Sequence, residues 1–435
     1  MALTACAYAQ LNTSDTYSGP EVISRGGTNT TGQRAGRLVD FQFWGDLTGI
    51  YDSGLNGISV GPNGQVQSVG EEGIEAGGGV VGSRTWSRDF LSLDYTGHIR
   101  HYTPNSYFDG SDQLLQLDWR HTISHHVNFE LNTIAGETSL SYGQLAFVPI
   151  RNADLIGVPQ NQLFDNQNYF AETSGEVYWQ KTARLSFGVG GVGFLTDYRS
   201  SALASMRGAQ GRGDAVYRLT RRQKVYLTWQ IMQFDYQRAF GYSTMNTAAA
   251  GWSMDLGRNW TFETQGGAMY VHTLGLIQRP VDPAIAVIIG RNYTITTSDR
   301  TVWVPEGVVR ITRRFRRSAV DLGGAMTVSP GNGVYLTSRE NNAYLNYSLV
   351  GSRRLSLSTM AAYSSLSSVG QQTIGKFESE SGGLGATYRI HGNLHGELRY
   401  DFYHYTTQGA AYRKNENRVS LGVAYTSGER PLAIW

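Results

Sequence analysis

Charged and polar side chains recur at every second position in several stretches of this 435-residue sequence. In one such stretch Asp94, His98 and Arg100 alternate with the apolar Leu93 and Ile99. Successive side chains of a β-strand point to opposite faces, so one face would be apolar and the other charged. A charged face is costly in a dry core or in lipid. The pattern therefore predicts a wetted face, where side chains contact ions and hydrophilic solutes or pair with one another.

The same alternation selects a set of residues expected to line a water-filled space. Carboxylates and guanidinium groups are mixed in this set, and neither sign dominates, so the sequence predicts no strong ion selectivity. Many of these side chains are expected to pair across strands, and others to contact solute. The candidate lumen-lining residues are Asp94, His98, Arg100, Asp118, Arg120, Glu130, Glu172, Glu176, Arg212, Asp214, Arg218, Glu263, Glu306, Arg310, Glu397, Arg399 and Asp401.

Catalytic and metal-binding constellations are the main alternative use for such residues. The sequence contains neither a His-Glu-x-x-His motif nor a Gly-Lys-Ser/Thr phosphate loop. His125 and His126 are adjacent in or beside a short turn, where neighbouring side chains do not easily reach one ion. Cys6 is the only cysteine, which excludes a metal cluster held by thiolates. We therefore expect no enzymatic activity, no cofactor and no metal site.

The elements that must position the charged face are predicted to be antiparallel β-strands. A composition with 53 glycines and 26 tyrosines suits strands and turns better than helices. Several strands exceed the roughly 9–11 residues that a tilted strand needs to cross a membrane. The predicted strands are 38–52, 77–87, 90–102, 112–121, 126–140, 169–180, 185–198, 206–219, 225–237, 245–256, 260–272, 300–312, 318–328, 340–350, 355–367, 376–390, 394–407 and 416–427.

The lengths of the connections alternate along the chain. Short turns follow every second strand, as at 181–184 and 257–259, whereas the intervening connections are longer, notably 53–76, 141–168 and 273–299. Short periplasmic turns and long extracellular loops are typical of bacterial outer-membrane barrels. The rhythm predicts an all-β, up-and-down transmembrane barrel of about 18 strands (16–18) with both termini on the short-turn side.

Composition limits the remaining possibilities. No run of about 18 apolar residues occurs, so a helical membrane protein is excluded. The 37 Lys and Arg residues balance 35 Asp and Glu residues, which leaves no nucleic-acid footprint. Ala7-Tyr8-Ala9 is typical of the end of a secretory signal, although Cys6 also fits a lipoprotein cleavage box. We expect a signal-peptide remnant at 1–9, a flexible periplasmic segment at 10–36 and the barrel at 37–435.

Aromatic and apolar residues outside the charged face also suggest positions relative to the membrane. Six tryptophans are predicted near strand ends, consistent with interfacial girdles: Trp86, Trp119, Trp179, Trp229, Trp260 and Trp303. The loops 141–168 and 273–299 contain apolar runs, at 145–150, 155–158 and 284–289. These runs are expected to fold into the barrel mouth or pack on each other, or else to dock a protein or polysaccharide partner.

The alternating strands, the turn rhythm and the C-terminal strand Val419-Ser420-Leu421-Gly422-Val423-Ala424-Tyr425 resemble those of Gram-negative porin-like barrels. The chain also loosely resembles barrels associated with polysaccharide export. The resemblance implies a Gram-negative outer-membrane location, among outer-membrane lipid and lipopolysaccharide, and a channel for small hydrophilic solutes through a polar lumen of mixed charge. The alternative is a conduit or scaffold whose lumen holds an exported polysaccharide or a partner protein.

Overall fold

The computed structural model describes ten parts of the chain, namely 39–60, 66–103, 106–139, 167–257, 259–280, 293–315, 317–350, 354–369, 375–407 and 412–427. The predicted segments 1–9 and 10–36 and the apolar runs at 145–150, 155–158 and 284–289 lie outside them. Eighteen β-strands account for nearly all of the described residues. They are β1 (Val39–Val60), β2 (Val66–Thr85), β3 (Asp89–Tyr102), β4 (Gly110–Ser124), β5 (Val127–Thr138), β6 (Asn168–Gln180), β7 (Leu185–Tyr198), β8 (Ser205–Arg218), β9 (Gln223–Gln237), β10 (Gly241–Leu256), β11 (Trp260–Pro280), β12 (Tyr293–Arg314), β13 (Ser318–Gly331), β14 (Leu336–Val350), β15 (Leu355–Ser368), β16 (Phe377–His391), β17 (Leu394–Thr407) and β18 (Tyr412–Thr426).

Each strand pairs antiparallel with its neighbours in sequence, and the first strand pairs with the last. The β1–β18 ladder runs from Trp44 opposite Thr426 to Ser53 opposite Asn417, so the sheet closes on itself. Closure leaves no edge strand with unsatisfied backbone groups, which is the condition for a sheet to span lipid. The structure thus confirms the predicted all-β barrel and its strand number. Within the described residues, no helix is both long and apolar enough to span a membrane.

The two ends of the barrel differ as the connection lengths predict. The connections after the even-numbered strands are short, and the two residues between β4 and β5 are His125 and His126. Both described chain ends lie at this short-turn end, where the backbone N–H of Phe43 donates to the Ser427 hydroxyl at 3.1 Å. The opposite end carries the long connections and is called the long-loop end below. In barrels of this class the short-turn end is periplasmic.

Two of the predicted long loops are wrong, because the strands extend into them. β1 continues to Val60 and β2 begins at Val66, inside the predicted loop 53–76. β11 continues to Pro280 and β12 begins at Tyr293, inside the predicted loop 273–299. Beyond the membrane neither face of a strand must be apolar, so period-two hydropathy fades there. Antiparallel pairing still satisfies the backbone groups, so the hairpins continue into water.

The outer face of the barrel is apolar along every part that can meet lipid. Leu47, Val189, Leu227 and Leu421 are between 55% and 67% exposed, each on a different strand. So much exposed apolar surface would cause aggregation in a soluble protein, whereas lipid tails cover it without cost.

Aromatic side chains on this face form pairs near the short-turn end, as between Trp119 and Phe129, whose ring centroids are 5.5 Å apart. Nearer the long-loop end, Trp303 lies 5.1 Å from Tyr270. Two levels of aromatic rings fit the two interfaces of a membrane. Trp229 and Trp303 depart from the predicted pattern, because each lies in the middle of its strand, β9 or β12, and not at an end.

Candidate functional site in the barrel lumen

All seventeen residues predicted to line the lumen occupy inward-facing positions of their strands. In β3, for example, Leu93 and Ile99 are 37% and 63% exposed on the outer face, while Arg100 is 2% exposed on the inner face. The strict alternation of the antiparallel sheet carries this arrangement from strand to strand. Whether these residues contact a solute is a separate question, which depends on their partners.

Several of the predicted charges pair across neighbouring strands. Arg120 in β4 lies opposite Glu130 in β5, and Arg120 Nε is 3.3 Å from Glu130 Oε1. Arg310 in β12 donates through Nε to Asp321 Oδ1 in β13 at 3.2 Å. Asp321 is fully buried and was not among the predicted residues. Paired in this way, the charges satisfy one another and hold adjacent strands together on the lumen side.

Other predicted charges pair within one strand, two positions apart. Arg212 Nε donates to Asp214 Oδ2 at 2.7 Å, and Thr228 of the next strand donates to the other oxygen of this carboxylate at 2.6 Å. Arg399 donates to both oxygens of Asp401, at 2.7 and 3.0 Å. Residues two apart in a strand share a face, so these pairs also lie in the lumen.

The remaining predicted residues also lie on the inner wall. His98 Nε2 is 3.8 Å from Asp46 Oδ1, and Gln265 Nε2 donates to Glu306 Oε1 at 3.1 Å. Inner positions of β3, β4, β6 and β17 hold four further predicted carboxylates, Asp94, Asp118, Glu172 and Glu397. The lumen wall therefore carries ionisable groups on both sides of the barrel.

A chamber with a cavity volume of about 100 Å³, lined mostly by residues with polar or charged side chains, lies in the lumen towards the short-turn end. Five predicted residues come together here with residues that sequence reasoning did not single out, including two tyrosines and a lysine. Tyr226 donates to Glu263 at 3.1 Å on the chamber wall. The lining consists of Glu130, Tyr178, Gln180, Thr182, Ala183, Arg184, Ser186, Arg212, Asp214, Val216, Arg218, Lys224, Tyr226, Ser253 and Glu263.

Glycines in β7 give the wall beside this chamber its shape. A Cβ atom on Gly190 would lie 2.8 Å from the carbonyl oxygen of Gly175 and 3.1 Å from Glu176 Cβ. Glu176 therefore packs directly over the backbone of β7, where it accepts a short hydrogen bond from Tyr178. On the outer face of the same strand, a Cβ atom on Gly193 would meet nothing within 4 Å. The close approach at Gly190 shows that the glycine lets neighbouring groups pack directly on the backbone of this strand.

A second group of charges is buried near the long-loop end, where β1 meets β18. Arg418 donates through Nε and Nη2 to the two oxygens of Asp52, at 2.7 and 2.8 Å. Arg100 donates to Glu75 at 3.2 Å and makes a short contact with Asp112. Asp52, Glu75, Asp112 and Arg418 were not predicted, although period two places each on the inner face. The pairs link the first four strands to the last.

Apolar side chains fill much of the lumen between these charges and the long-loop end. The largest cluster joins inward-facing residues of β7 to β12 and includes four of the eight methionines. A second cluster lies on the opposite wall, on β15 to β17. The sequence predicted a polar lumen. This prediction fits the residues that line the chamber, but it did not include the two apolar clusters. Their members are Phe194, Ala204, Met206, Met232, Phe234, Tyr236, Met245, Met269, Val271, Val304, Val328 and Val369 in the first, and Tyr335, Leu366, Phe377, Tyr403 and Tyr405 in the second.

The connection between β13 and β14 lies between the two clusters. Val328 belongs to the first cluster and Tyr335 to the second. The Tyr236 hydroxyl, in β9, donates to the carbonyl oxygen of Pro330 at 3.0 Å. The backbone N–H of Ala204, in the β7–β8 connection, donates to the carbonyl oxygen of Gly333 at 3.0 Å. The tip of this hairpin, residues 327–337, therefore crosses the lumen from one wall to the other.

The inner wall also carries residues of the types that serve as metal ligands or catalytic groups. Among the residues with described structure, no three His, Cys, Asp or Glu side chains converge as metal ligands. A Gly-x-Ser-x-Gly pattern occurs at 57–61. Its serine, Ser59, lies in β1, whereas the nucleophile of α/β-hydrolases requires a strand-to-helix turn. The pattern alone therefore gives no nucleophilic site.

A closed antiparallel sheet, an apolar outer face, two aromatic levels and a charged inner wall define a transmembrane β-barrel of the bacterial outer membrane.

The comparison with solved structures matches the following proteins, among others, each at a TM-score below 0.5. OpdL of Pseudomonas aeruginosa is 13% identical at a TM-score of 0.41, with 89% of this chain and 99% of that chain covered. A BenF-like porin from Pseudomonas fluorescens Pf-5 is 12% identical at a TM-score of 0.43, with 89% and 98% covered. OccAB1 of Acinetobacter baumannii is 11% identical at a TM-score of 0.40, with 89% and 97% covered. Similarity at this level says nothing of what passes through this barrel. No family model and no curated protein matches the sequence.

Proposed function

We propose that this barrel is an outer-membrane channel that lets small hydrophilic solutes pass through a lumen of mixed charge. The observation that carries the proposal is the polar chamber inside a closed 18-stranded wall. Barrels with 16 to 18 strands are wide enough to leave an aqueous lumen. Inner-wall carboxylates and guanidinium groups, paired as Arg212 is with Asp214, keep that lumen hydrated without a large net charge. Solute contact by the seventeen inner-wall residues is part of this proposal.

The chamber offers donors and acceptors to a solute but no constellation that would transform it. Arg218 and Lys224 lie on its wall together with Glu130 and Glu263. Such a wall can exchange hydrogen bonds with a polar solute as water leaves the solute's surface. Passage needs these interactions to be weak and distributed, since a tight site would hold the solute. We infer passive transport and no enzymatic activity.

Solute uptake by proteoliposomes tests this proposal. Val216 lines the chamber, whereas its neighbour Ala215 lies on the outer face of β8. Val216→Trp should slow the swelling of proteoliposomes in small sugars severalfold, because the indole projects into the passage. Ala215→Trp is the matched control and should leave the rate unchanged, since the indole meets lipid.

Equal swelling rates for the two variants would show that solutes do not use the chamber. If neither the wild type nor a variant with the lumen-crossing hairpin shortened conducted solutes, the channel proposal would fail. The alternative function, a conduit or scaffold filled by a polysaccharide or a partner protein, would then be favoured.

A further inference from the structure

The wall of the barrel has an incomplete seam between β12 and β13. The two strands pair over eight residue pairs, from Arg314 opposite Ala319 to Gly307 opposite Met326. From this point towards the long-loop end, β12 continues to Tyr293 in its ladder with β11, and β13 continues in its ladder with β14. No β12–β13 pair is found beyond Gly307 in the described part of the two strands. Beyond Met326, β13 therefore has a ladder with β14 alone.

Prolines lie on both sides of this seam. Pro305 lies two residues beyond Gly307, the last paired residue of β12, and Pro330 lies near the tip of β13. Proline has no N–H to donate to a ladder, and it occurs in sheets where one edge is unpaired. The sequence therefore supports the separation of the two strands locally.

The hairpin tip does not lie in the barrel wall but inside the barrel, against the lumen face of neighbouring strands. Leu322 and Val328 are six residues apart in β13, so an undistorted strand would place both on the outer face. Leu322 is 47% exposed there, but Val328 is 3% exposed and packs in the cluster that contains Val304 and Met269. The outer face of the β13 tip thus packs against the inner face of β9 to β12.

A few hydrogen bonds hold the tip on β9, β10 and the β7–β8 connection. The Tyr236 hydroxyl bonds the Pro330 carbonyl at 3.0 Å and the Thr337 hydroxyl at 2.9 Å. Ser243 of β10 lies 2.6 Å from the same Thr337 hydroxyl. With the bond between Ala204 and Gly333, these contacts latch the tip across the lumen. Each is a side-chain or single backbone contact, and none is part of a continuous ladder.

The surface beneath the tip is suited to repeated contact and release. Four methionines, Met206, Met232, Met245 and Met269, contribute to it. Methionine side chains are unbranched and flexible, so they can repack when the hairpin tip binds and when it is released.

We propose that residues 327–337 form a gate that blocks the lumen in this structure and opens it by swinging out of the methionine-lined seat towards the seam. The proposal rests on the channel function argued above and adds a closed and an open state to it. The β14–β15 ladder continues to Ser338 opposite Ser368, so the hairpin stays attached on one side while its other edge is free. The latch at Tyr236 sets how often the gate opens.

A reversible cross-link tests the gate directly. A Cβ atom on Gly333 would lie 3.2 Å from Leu203 Cβ, slightly closer than disulfide-bonded cysteines usually are. The φ of 85° at Gly333 adds strain, which the single variant Gly333→Cys also carries. Leu203→Cys with Gly333→Cys, in a Cys6→Ser background, should form a disulfide under oxidation. We expect single-channel openings in planar bilayers to fall at least tenfold on oxidation and to return on reduction. The two single-cysteine variants should not respond to oxidant.

A second pair of variants tests the latch without a cross-link. Tyr236→Phe removes the hydroxyl that bonds Pro330 and Thr337, and it should raise the opening frequency severalfold. Tyr242→Phe, on the outer face of the adjacent strand, is the matched control and should leave it unchanged. Unaltered openings with a verified disulfide would overturn the gate.

Shortening the hairpin separates this inference from the channel proposal. Ser329 pairs with Ser338, so replacing 330–337 by Asn-Gly should leave a regular two-residue hairpin. We expect this variant to remain open. A silent shortened variant would contradict the channel function itself, whereas a conducting one with the wild type's gating pattern would contradict only the gate.

Discussion

Arg418 in the last strand and Asp52 in the first form a doubly hydrogen-bonded ion pair, with N–O distances of 2.7 and 2.8 Å. Their side chains are 8% and 0% exposed. The pair lies across the β1–β18 ladder, where the chain ends must meet for the barrel to close. Arg418 Nη1 also lies 3.5 Å from Glu75, so one guanidinium compensates two carboxylates on neighbouring strands. The pair thus stabilises closure and not only local packing.

Loss of this guanidinium should weaken the whole barrel. Arg418→Met leaves Asp52 buried without its cation, whereas Glu75 keeps Arg100. Breaking a buried pair in this way costs about 3–5 kcal/mol. We expect the heat-resistant folded band on electrophoresis to be lost at a clearly lower temperature. Arg413→Met, at an exposed position of the same strand, should behave as the wild type. If the two variants melted together, the pair would have no role in closure.

The assignment of faces can be checked at the middle of β4. Leu117 faces lipid and Gln116 faces the lumen, where it lies beside Asp118 and opposite Asp94. Leu117→Arg places a charge in lipid at a cost of about 2–4 kcal/mol near the midplane. Gln116→Arg should be tolerated, because two carboxylates are within reach. The measurement is the folded fraction after refolding into vesicles, and equal losses for both variants would reverse the assignment.

Charge selectivity should depend on the cations of the chamber wall, two of which are Arg218 and Lys224. Their joint replacement by Gln removes positive potential from the passage, so the reversal potential in a salt gradient should shift towards cation preference. The shift should be largest at low salt, since screening acts within about 10 Å at 0.1 M. The control is Arg207→Gln, which changes a charge on the outer face of β8. An equal shift from the control would place the selectivity elsewhere.

Much of the fold was predictable, because a barrel in lipid imposes period two on every strand. Asp94, Asp118 and Arg120 could be assigned to the lumen from their neighbours alone, and the structure places all three there. Glu75 was missed because it lies in a stretch predicted as a loop, where the alternation of apolar residues has already faded. Its partner Arg418 is at an inner position of a predicted strand, but nothing in the sequence brings the two strands together.

The hairpin tip could not be predicted for a different reason. By period two Val328 faces outwards, and only the incomplete β12–β13 ladder turns it into the lumen. This displacement depends on long-range contacts, because the tip of β13 leaves the ladder with β12 and packs on the inner face of β9 to β12. Pro305 and Pro330 were a local signal for it, since both disfavour a continuous ladder. The apolar clusters follow from the same event and were missed with it.

The most direct test of the central claim is the conductance of the purified barrel in planar bilayers. We expect the wild type to conduct and the Asn-Gly variant with the shortened hairpin to conduct as well. The conductance should become smaller when Val216→Trp narrows the chamber, and it should not change for Ala215→Trp on the lipid face. A folded barrel that carries no current in the wild type or in the shortened variant would contradict an aqueous passage through this lumen.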